Sequence, residues 1–533
     1  MNGFAGTWPL ARLALRRDRI MLLAWAYVIT VGVAGTGYAF KTLYPTAAQR
    51  ELLAAAGGSN PALVFLYSRL YGDSVGALTA WRYGVWATIF AAMMSIFIVV
   101  RHTRADEETG RLELIGSAVV GRRAPLTAGV AVAGAGNAVL AVLVSVALIV
   151  VGLPPAGSIA IALAIAIGGI AFACVAALAA QIARGARAAR GIALGALGAA
   201  YLLRAVGDSD NAGLLPKLSW LSPLGWSELV RPFAGDRWWV LALPAGLALA
   251  AAGAAYLVAA RRDYGAGLLS DRPGRRQASQ SLSGVFGLAW RRQGSLLASW
   301  MAGFLFAGII FGAAGKGIGS LLGSSSQLRN LFTKLGDQTA ITNAYLAAVM
   351  TLAGLVVAAY AVAAVLSLHS DELSGLAEPV LATAVSRLRW VLSHLMIAVT
   401  GAAALLASAG LSVGLGYGLR AGDVNVELPK LFGAALLQLP ASLTVAGVAM
   451  ALFGLIPSAC VGGGWAAVAG SLLMLLFGPL LRFPQWVLDI SPFTHAPKLP
   501  GGVLHLPALA WLSLAFLGLA AAGLWAFRRR DVG

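Results

Sequence analysis

The stretch DEETGRLELIGSAVVGR, Asp106 to Arg122, is a charged island between two long apolar runs. It recurs without a gap as DELSGLAEPVLATAVSR, Asp371 to Arg387, at an offset of 265. Asp106 meets Asp371, Glu107 meets Glu372, Gly110 meets Gly375, Glu113 meets Glu378 and Arg122 meets Arg387. Polar and glycine identities this dense, in a chain so poor in charge, mark an internal duplication. The sequence therefore reads as two related halves, each carrying one acidic loop.

Composition sets the class. Hydrophobic residues make up 59% and charged residues 11%, which is an integral membrane protein and not a soluble globule. The net charge of +18 would suggest nucleic acid in a soluble chain. Here Arg flanks apolar runs, so lipid headgroups and topology account for it and no nucleic-acid partner is expected. Cys174 and Cys460 lie in or beside apolar segments, and the five histidines are scattered without ligand spacing. No disulfide framework and no metal site follow from them.

Apolar runs predict spans near 20–40, 82–100, 126–152, 158–180, 190–207 and 238–260. A second set falls near 296–314, 344–367, 394–417, 431–453, 463–481 and 506–527. The runs are continuous and about twice a barrel strand's length, which excludes a closed β-barrel. The expected fold is all-α, with two six-helix halves at 1–260 and 286–533 joined by a cytoplasmic linker at 261–285. The first run is long enough to span, and no small-residue cleavage pattern follows it. Ahead of it, Arg12, Arg16 and Arg19 share one helical face, as an interfacial amphipathic helix or an ordinary positive flank would.

Placing both termini in the cytoplasm puts the excess of Lys and Arg inside, and the acidic loops with it. Topology does not explain carboxylates where the chain otherwise uses Arg. Further matches extend the duplication. Arg16, Arg17 and Trp25 pair with Arg291, Arg292 and Trp300 at 275, and Gly72 and Asp73 with Gly336 and Asp337 at 264. Ser222 and Pro223 pair with Ser491 and Pro492 at 269. Six spans per half give both halves the same orientation, a parallel repeat whose shared pathway is expected between them. Segments 208–237 and 482–505 are too apolar for free loops, and short re-entrant pieces are expected there.

No carboxylate falls in the middle of a predicted span, which disfavours proton- or sodium-driven transport. No acid cluster or Ser/His pair suggests an enzyme. GAAGKG, Gly312 to Gly317, lacks the spacing and the Ser or Thr of a phosphate loop, and LSG, Leu373 to Gly375, has no Walker motif beside it. The chain itself is expected to bind no ATP and no other cofactor.

Each half thus carries an E-x-x-G-x-x-E loop after its second span. With the linker RRDYGAGLLSDRPG, Arg261 to Gly274, and the ending RRRDVG, the chain resembles type-2 ABC exporter permeases. It is most similar in plan to the fused, double-length actinobacterial kind described as polyketide antibiotic, or tetronasin-type, multidrug exporters. The resemblance implies two copies of a separate cytoplasmic ATPase that bind ATP and magnesium, docked on coupling helices in the acidic loops. It makes Glu107, Gly110, Glu113, Glu372, Gly375 and Glu378 coupling residues. Asp106, Glu108, Arg122, Asp371 and Arg387 stand in the same windows. Pro379 in place of Leu114, and Arg389 in place of a direct basic pair, set the second loop apart from the first. Glu107 and Glu113 can pair with Arg on the ATPase or with Arg16 and Arg122; the bland alternative is solvated loop charge.

Along the second span Trp86, Phe90, Met93, Met94 and Phe97 form an adaptable apolar stripe. Family analogy adds Tyr345, Met350 and Tyr360 as pathway residues, with plain packing as the alternative. Gly191 and Gly195, Gly308 and Gly312, and Gly410 and Gly414 have small-xxx-small spacing. The expectation is a plasma-membrane permease that exports lipophilic small molecules by alternating access. The alternatives are a membrane scaffold that receives an ATPase signal, or a secondary transporter.

Overall fold

The computed structural model describes residues 3–58, 61–111, 119–209, 218–261, 267, 284–323, 338–481 and 484–530. Among them lie twelve helices long and apolar enough to cross a membrane. They are α1 (Thr7–Leu43), α2 (Val75–Glu108), α3 (Ala124–Val151), α4 (Pro155–Ile182), α5 (Ala186–Asp208) and α6 (Trp238–Arg261). The second set is α7 (Val285–Gly315), α8 (Thr342–Leu373), α9 (Arg387–Ala421), α10 (Val424–Leu455), α11 (Pro457–Leu475) and α12 (Leu506–Arg529). Every predicted span has its helix, as an apolar run in hydrocarbon must satisfy its own backbone. The chain packs as two units, Met1–Pro273 and Gly274–Gly533, each containing six of them. Most of the expected linker lies outside the described residues.

Helix α1 runs unbroken for 37 residues. At 1.5 Å per residue that is about 55 Å, well beyond a hydrocarbon core of about 30 Å. The arginine face at Arg12, Arg16 and Arg19 therefore continues the span and does not form a separate helix in the interface. After Pro9 in the first turn, no Pro or Gly interrupts the helix before Gly32. Helix α2 contains two π-helical turns, Ala80–Gly84 and Arg101–Ala105, the second leading directly into the acidic loop.

In the first unit α2 and α4 are the most enclosed helices; in the second, α8 and α10 are. Close helix approach explains two of the three glycine pairs. Gly308 and Gly312 lie against Ser412 and Val413 of α9, and Gly410 and Gly414 against Phe432 and Leu428 of α10, where a β-carbon would collide. Among the described residues nothing lies against Gly191 or Gly195. Short helices occupy the segments predicted to be too apolar for loops: Leu218–Leu221 and Gly225–Leu229 before α6, Gln485–Leu488 and Pro492–His495 before α12. The buried Ser222 hydroxyl donates to the Ala200 carbonyl at 2.6 Å and pins the first of these against α5.

Candidate functional site

The two acidic loops begin with one shared turn. The Gly110 N–H donates to the Glu107 carbonyl at 3.1 Å, and the Gly375 N–H to the Glu372 carbonyl at 3.1 Å. Their φ angles are +70° and +68°. A side chain there would cost about 1–2 kcal/mol, so the matched glycine is a left-handed helix stop. It turns the chain out of α2, and out of α8, at the same place.

Ion pairs root both loops in the first helix of their own unit. Arg17 Nη1 lies 3.1 Å from Asp106 Oδ1, and Arg292 Nη1 lies 2.7 Å from Asp371 Oδ2. Both partners are matched positions of the duplication, so the contact itself is duplicated. One layer deeper, His102 Nε2 is 2.5 Å from Asp18 Oδ2, and Arg101 Nη1 is 2.7 Å from Asp18 Oδ1. The corresponding positions in the second unit are Gln293 and Ser367, and there the Gln293 amide donates to the Ser367 hydroxyl at 2.9 Å. One unit uses a charged pair and the other a neutral hydrogen bond at the same joint. Asp18 tolerates burial only because Arg101 and His102 surround its carboxylate.

The remaining loop residues divide into buried anchors and exposed groups. Glu107 pairs with Arg104 at 2.6 Å, not with Arg16, because the two sit three residues apart across the π turn. Glu372 pairs with Arg530, whose guanidinium lies 5.4 Å from the rings of Phe453 and Phe527. Arg387 donates to the Arg530 carbonyl at 2.7 Å, so the end of α12 clamps the second loop. Asp371 also faces His394 at 3.4 Å. Backbone pairs tie the return of the first loop to the N-terminus: the Gly121 N–H donates to Ala5 and the Arg123 N–H to Gly3. Outward stand Glu108, Arg122 and Glu378, the last in the first turn of the short helix Ala377–Leu381. Leu373 and Leu376 are exposed beside it, 76% and 49%. Glu113 lies outside the described residues. An exposed carboxylate thus stands beside exposed leucines on a loop rooted by ion pairs.

The stripe on α2 splits by burial. Trp86, Phe90, Met93 and Phe97 are half-buried on one face, while Met94 is buried in the core. Trp86 packs on Phe90 at 6.3 Å and on Tyr201 of α5 at 6.0 Å. In the second unit Met350 and Tyr360 are fully enclosed, Tyr360 resting on Gly401 of α9. Tyr345 is half-buried and donates to the Phe311 carbonyl at 3.0 Å.

A buried charge cluster in the first unit escapes sequence reading. Arg204 of α5, fully enclosed, lies 3.4 Å from Asp208 and 3.9 Å from Glu228, and donates to the Phe65 and Tyr67 carbonyls. Ser219 donates to Asp208 at 2.6 Å. Glu228 is buried with no donor at either oxygen among the described residues. Burial pushes its carboxyl well above the usual range, and Asp208 adds to the effect against Arg204 and Arg69. Burial likewise raises the Tyr71 hydroxyl. The available signal was Arg204 and Asp208 at i, i+4 across the end of an apolar run; Glu228 comes from a different segment and gave none.

Two comparisons with known proteins bear on this arrangement. Residues 282–528 match the family model described as the multidrug efflux system permease Rv1217c, C-terminal domain. The chain is also 42% identical, over 532 residues, to the multidrug efflux system permease protein Rv1217c of Mycobacterium tuberculosis. That similarity covers 100% of this chain and 96% of the relative.

Proposed function

The chain belongs to the family of the multidrug efflux system permease Rv1217c, and on that premise we propose that it is the membrane subunit of an ATP-driven exporter of lipophilic drugs. Two copies of a cytoplasmic ATPase would bind ATP and magnesium and dock on the acidic loops. Their closing and resetting would drive alternating access in a multi-pass plasma-membrane protein with both termini inside. The observation that carries this reading is the duplicated joint: Arg17 with Asp106, Arg292 with Asp371, and a left-handed glycine after each. A motor needs something stiff to push on. A loop fastened to two helices by a charge-assisted pair transmits displacement, and a solvated loop does not.

The half-buried face at Trp86, Phe90, Met93 and Phe97 suits varied apolar cargo, since aromatic and thioether groups adapt to many shapes. A second reading, proton-driven transport, is favoured by one observation, the buried Glu228 carboxyl. Co-expression with a Walker-type ATPase from the same genome tests the first reading. Stable co-purification supports it; a chain that retains no ATPase, yet moves drugs on a pH gradient, supports the second.

A further inference from the structure

The buried Glu228 carboxyl stands against a small cavity of about 20 Å³, at the end of α2 opposite the acidic loop. Ser68, Tyr71, Thr88, Ser227 and Arg231 line it with Glu228. That volume suits a single water. Among the described residues neither Glu228 oxygen accepts a hydrogen bond, and the buried Arg231 Nε donates none. An unpaired acceptor and an unpaired donor thus belong to one water-sized polar space. The backbone beside it is strained: Arg231, Phe233 and Asp236 have φ angles of +52°, +61° and +31°. Strain of this kind in non-glycine residues clusters at binding and switch sites.

Charge decides what the site can take. Arg204 Nη1 lies 3.4 Å from Asp208 Oδ2 and 3.9 Å from Glu228 Oε2, and Arg69 Nε lies 3.8 Å from Asp208 Oδ1. Arg231 lies 4.4 Å from the Tyr71 ring. From α2 and α4 only uncharged residues line the cavity. A metal cation would enter beside these guanidiniums, and an anion beside the Glu228 carboxylate. A proton meets neither objection, because it neutralises the carboxylate that it joins. Asp208 is already served as an anion, by the Ser219 hydroxyl at 2.6 Å and by Arg204. Tyr71 keeps its own proton, since burial raises its hydroxyl. Glu228 is the group left to take one.

Arg204 has a second task. Its Nη1 donates to the Tyr67 carbonyl at 2.9 Å and its Nη2 to the Phe65 carbonyl at 2.8 Å. Arg69 donates back to the Gly207 and Asp208 carbonyls at 3.1 and 3.2 Å. Residues 68–73 form no helix, so side-chain bonds such as these fasten the segment to α5. We propose that Glu228 is a proton-binding site whose proton latches segment 65–71 onto α5. One proton passes from hydronium to a Glu228 oxygen, leaving water, and no other bond changes. Neutral Glu228 leaves Arg204 on the two carbonyls; ionised Glu228 competes for the guanidinium and draws it away. The device belongs to the first half alone. At the offset of 269 Arg204, Asp208 and Glu228 match Leu473, Phe477 and Pro497, and at 264 Arg69 and Tyr71 match Thr333 and Leu335. The latch is a property of the folded unit and holds whether ATP or a gradient drives the chain.

The full chain, in nanodiscs of phosphatidylethanolamine and phosphatidylglycerol and with carbon-13 in its glutamate carboxyls, is titrated by infrared difference spectroscopy between about pH 5 and about pH 10. A protonated glutamate carbonyl band is expected at neutral pH, fading as pH rises and absent from Glu228→Gln. No such band in the wild type at neutral pH overturns the proposal, a result that needs no variant to fold. Hydrogen exchange of the 65–71 amides, referenced to the chain's other loops to remove the intrinsic pH dependence, reads the latch. Protection there should fall by about tenfold or more as the band fades, since charge-assisted bonds to two carbonyls are lost. Glu228→Gln should stay protected throughout. A band that fades without change in 65–71, one that persists to the top of the range, or equal pH dependence in wild type and Glu228→Gln would each refute the latch.

Discussion

Glu378→Arg should detach the ATPase while leaving the permease folded. Glu378 is exposed in the first turn of Ala377–Leu381, and no ion pair among the described residues holds it. Within the chain, reversal forfeits at most a favourable position at a helix N-terminus, about 0.3–1 kcal/mol and less for so short a helix. At a docking surface the loss of a desolvated charge pair costs about 2–5 kcal/mol, and reversal adds repulsion. The second quantity is several times the first, so folding survives and assembly does not; about 3 kcal/mol weakens binding by more than a hundredfold. The assay is membrane abundance and thermal unfolding of the variant, then ATPase co-purification and drug efflux at matched levels. Wild-type partner binding together with wild-type efflux would refute the coupling assignment, whatever the protein transports.

Gly110→Val and Gly375→Val place a β-branched side chain at φ near +70°, costing about 1–2 kcal/mol or more, and should lower thermal stability and open the loops to limited proteolysis. Gly→Asn at the same sites should be the milder change. Asp18→Gln combined with His102→Ser rebuilds the neutral Gln293–Ser367 joint in the first unit. The double variant should be more stable than either single one in a thermal unfolding cycle, and simple additivity would refute the equivalence of the two joints. Glu228→Gln mimics a carboxyl held protonated by burial. A raised folded-state pKa stabilises the protein fully below the unfolded carboxyl value of about 4.3, and that contribution is lost as pH rises towards the folded value. The variant should therefore match wild type near pH 5 and exceed it near pH 8 in thermal unfolding; an equal loss at both would refute it.

The spans were legible because hydrocarbon admits so few backbone solutions that an apolar run nearly specifies a helix. The duplication was legible at Gly110 and Gly375 because only glycine meets the left-handed turn cheaply. Partners were another matter. Arg17 and Arg292 were matched to each other, yet nothing in the chain announced that each would reach the matched aspartate about eighty to ninety residues away. Glu107 found Arg104 through a π turn, a feature with no sequence signature that separates it from ordinary helix. Arg530 and Glu372 meet across 158 residues of sequence. The Arg204, Asp208 and Glu228 cluster was missed for the same reason: α5 and the short Gly225–Leu229 helix converge, and span prediction treats each alone.

On the proposed function, ATP hydrolysed by a docked partner drives drugs through this chain. The direct measurement is accumulation of a fluorescent lipophilic drug in inside-out vesicles containing the permease and its ATPase, with the pH gradient collapsed. Accumulation that requires hydrolysable ATP and disappears with Glu378→Arg is the predicted result. Accumulation on an imposed pH gradient without ATP, undiminished by Glu378→Arg and abolished by Glu228→Gln, would contradict it.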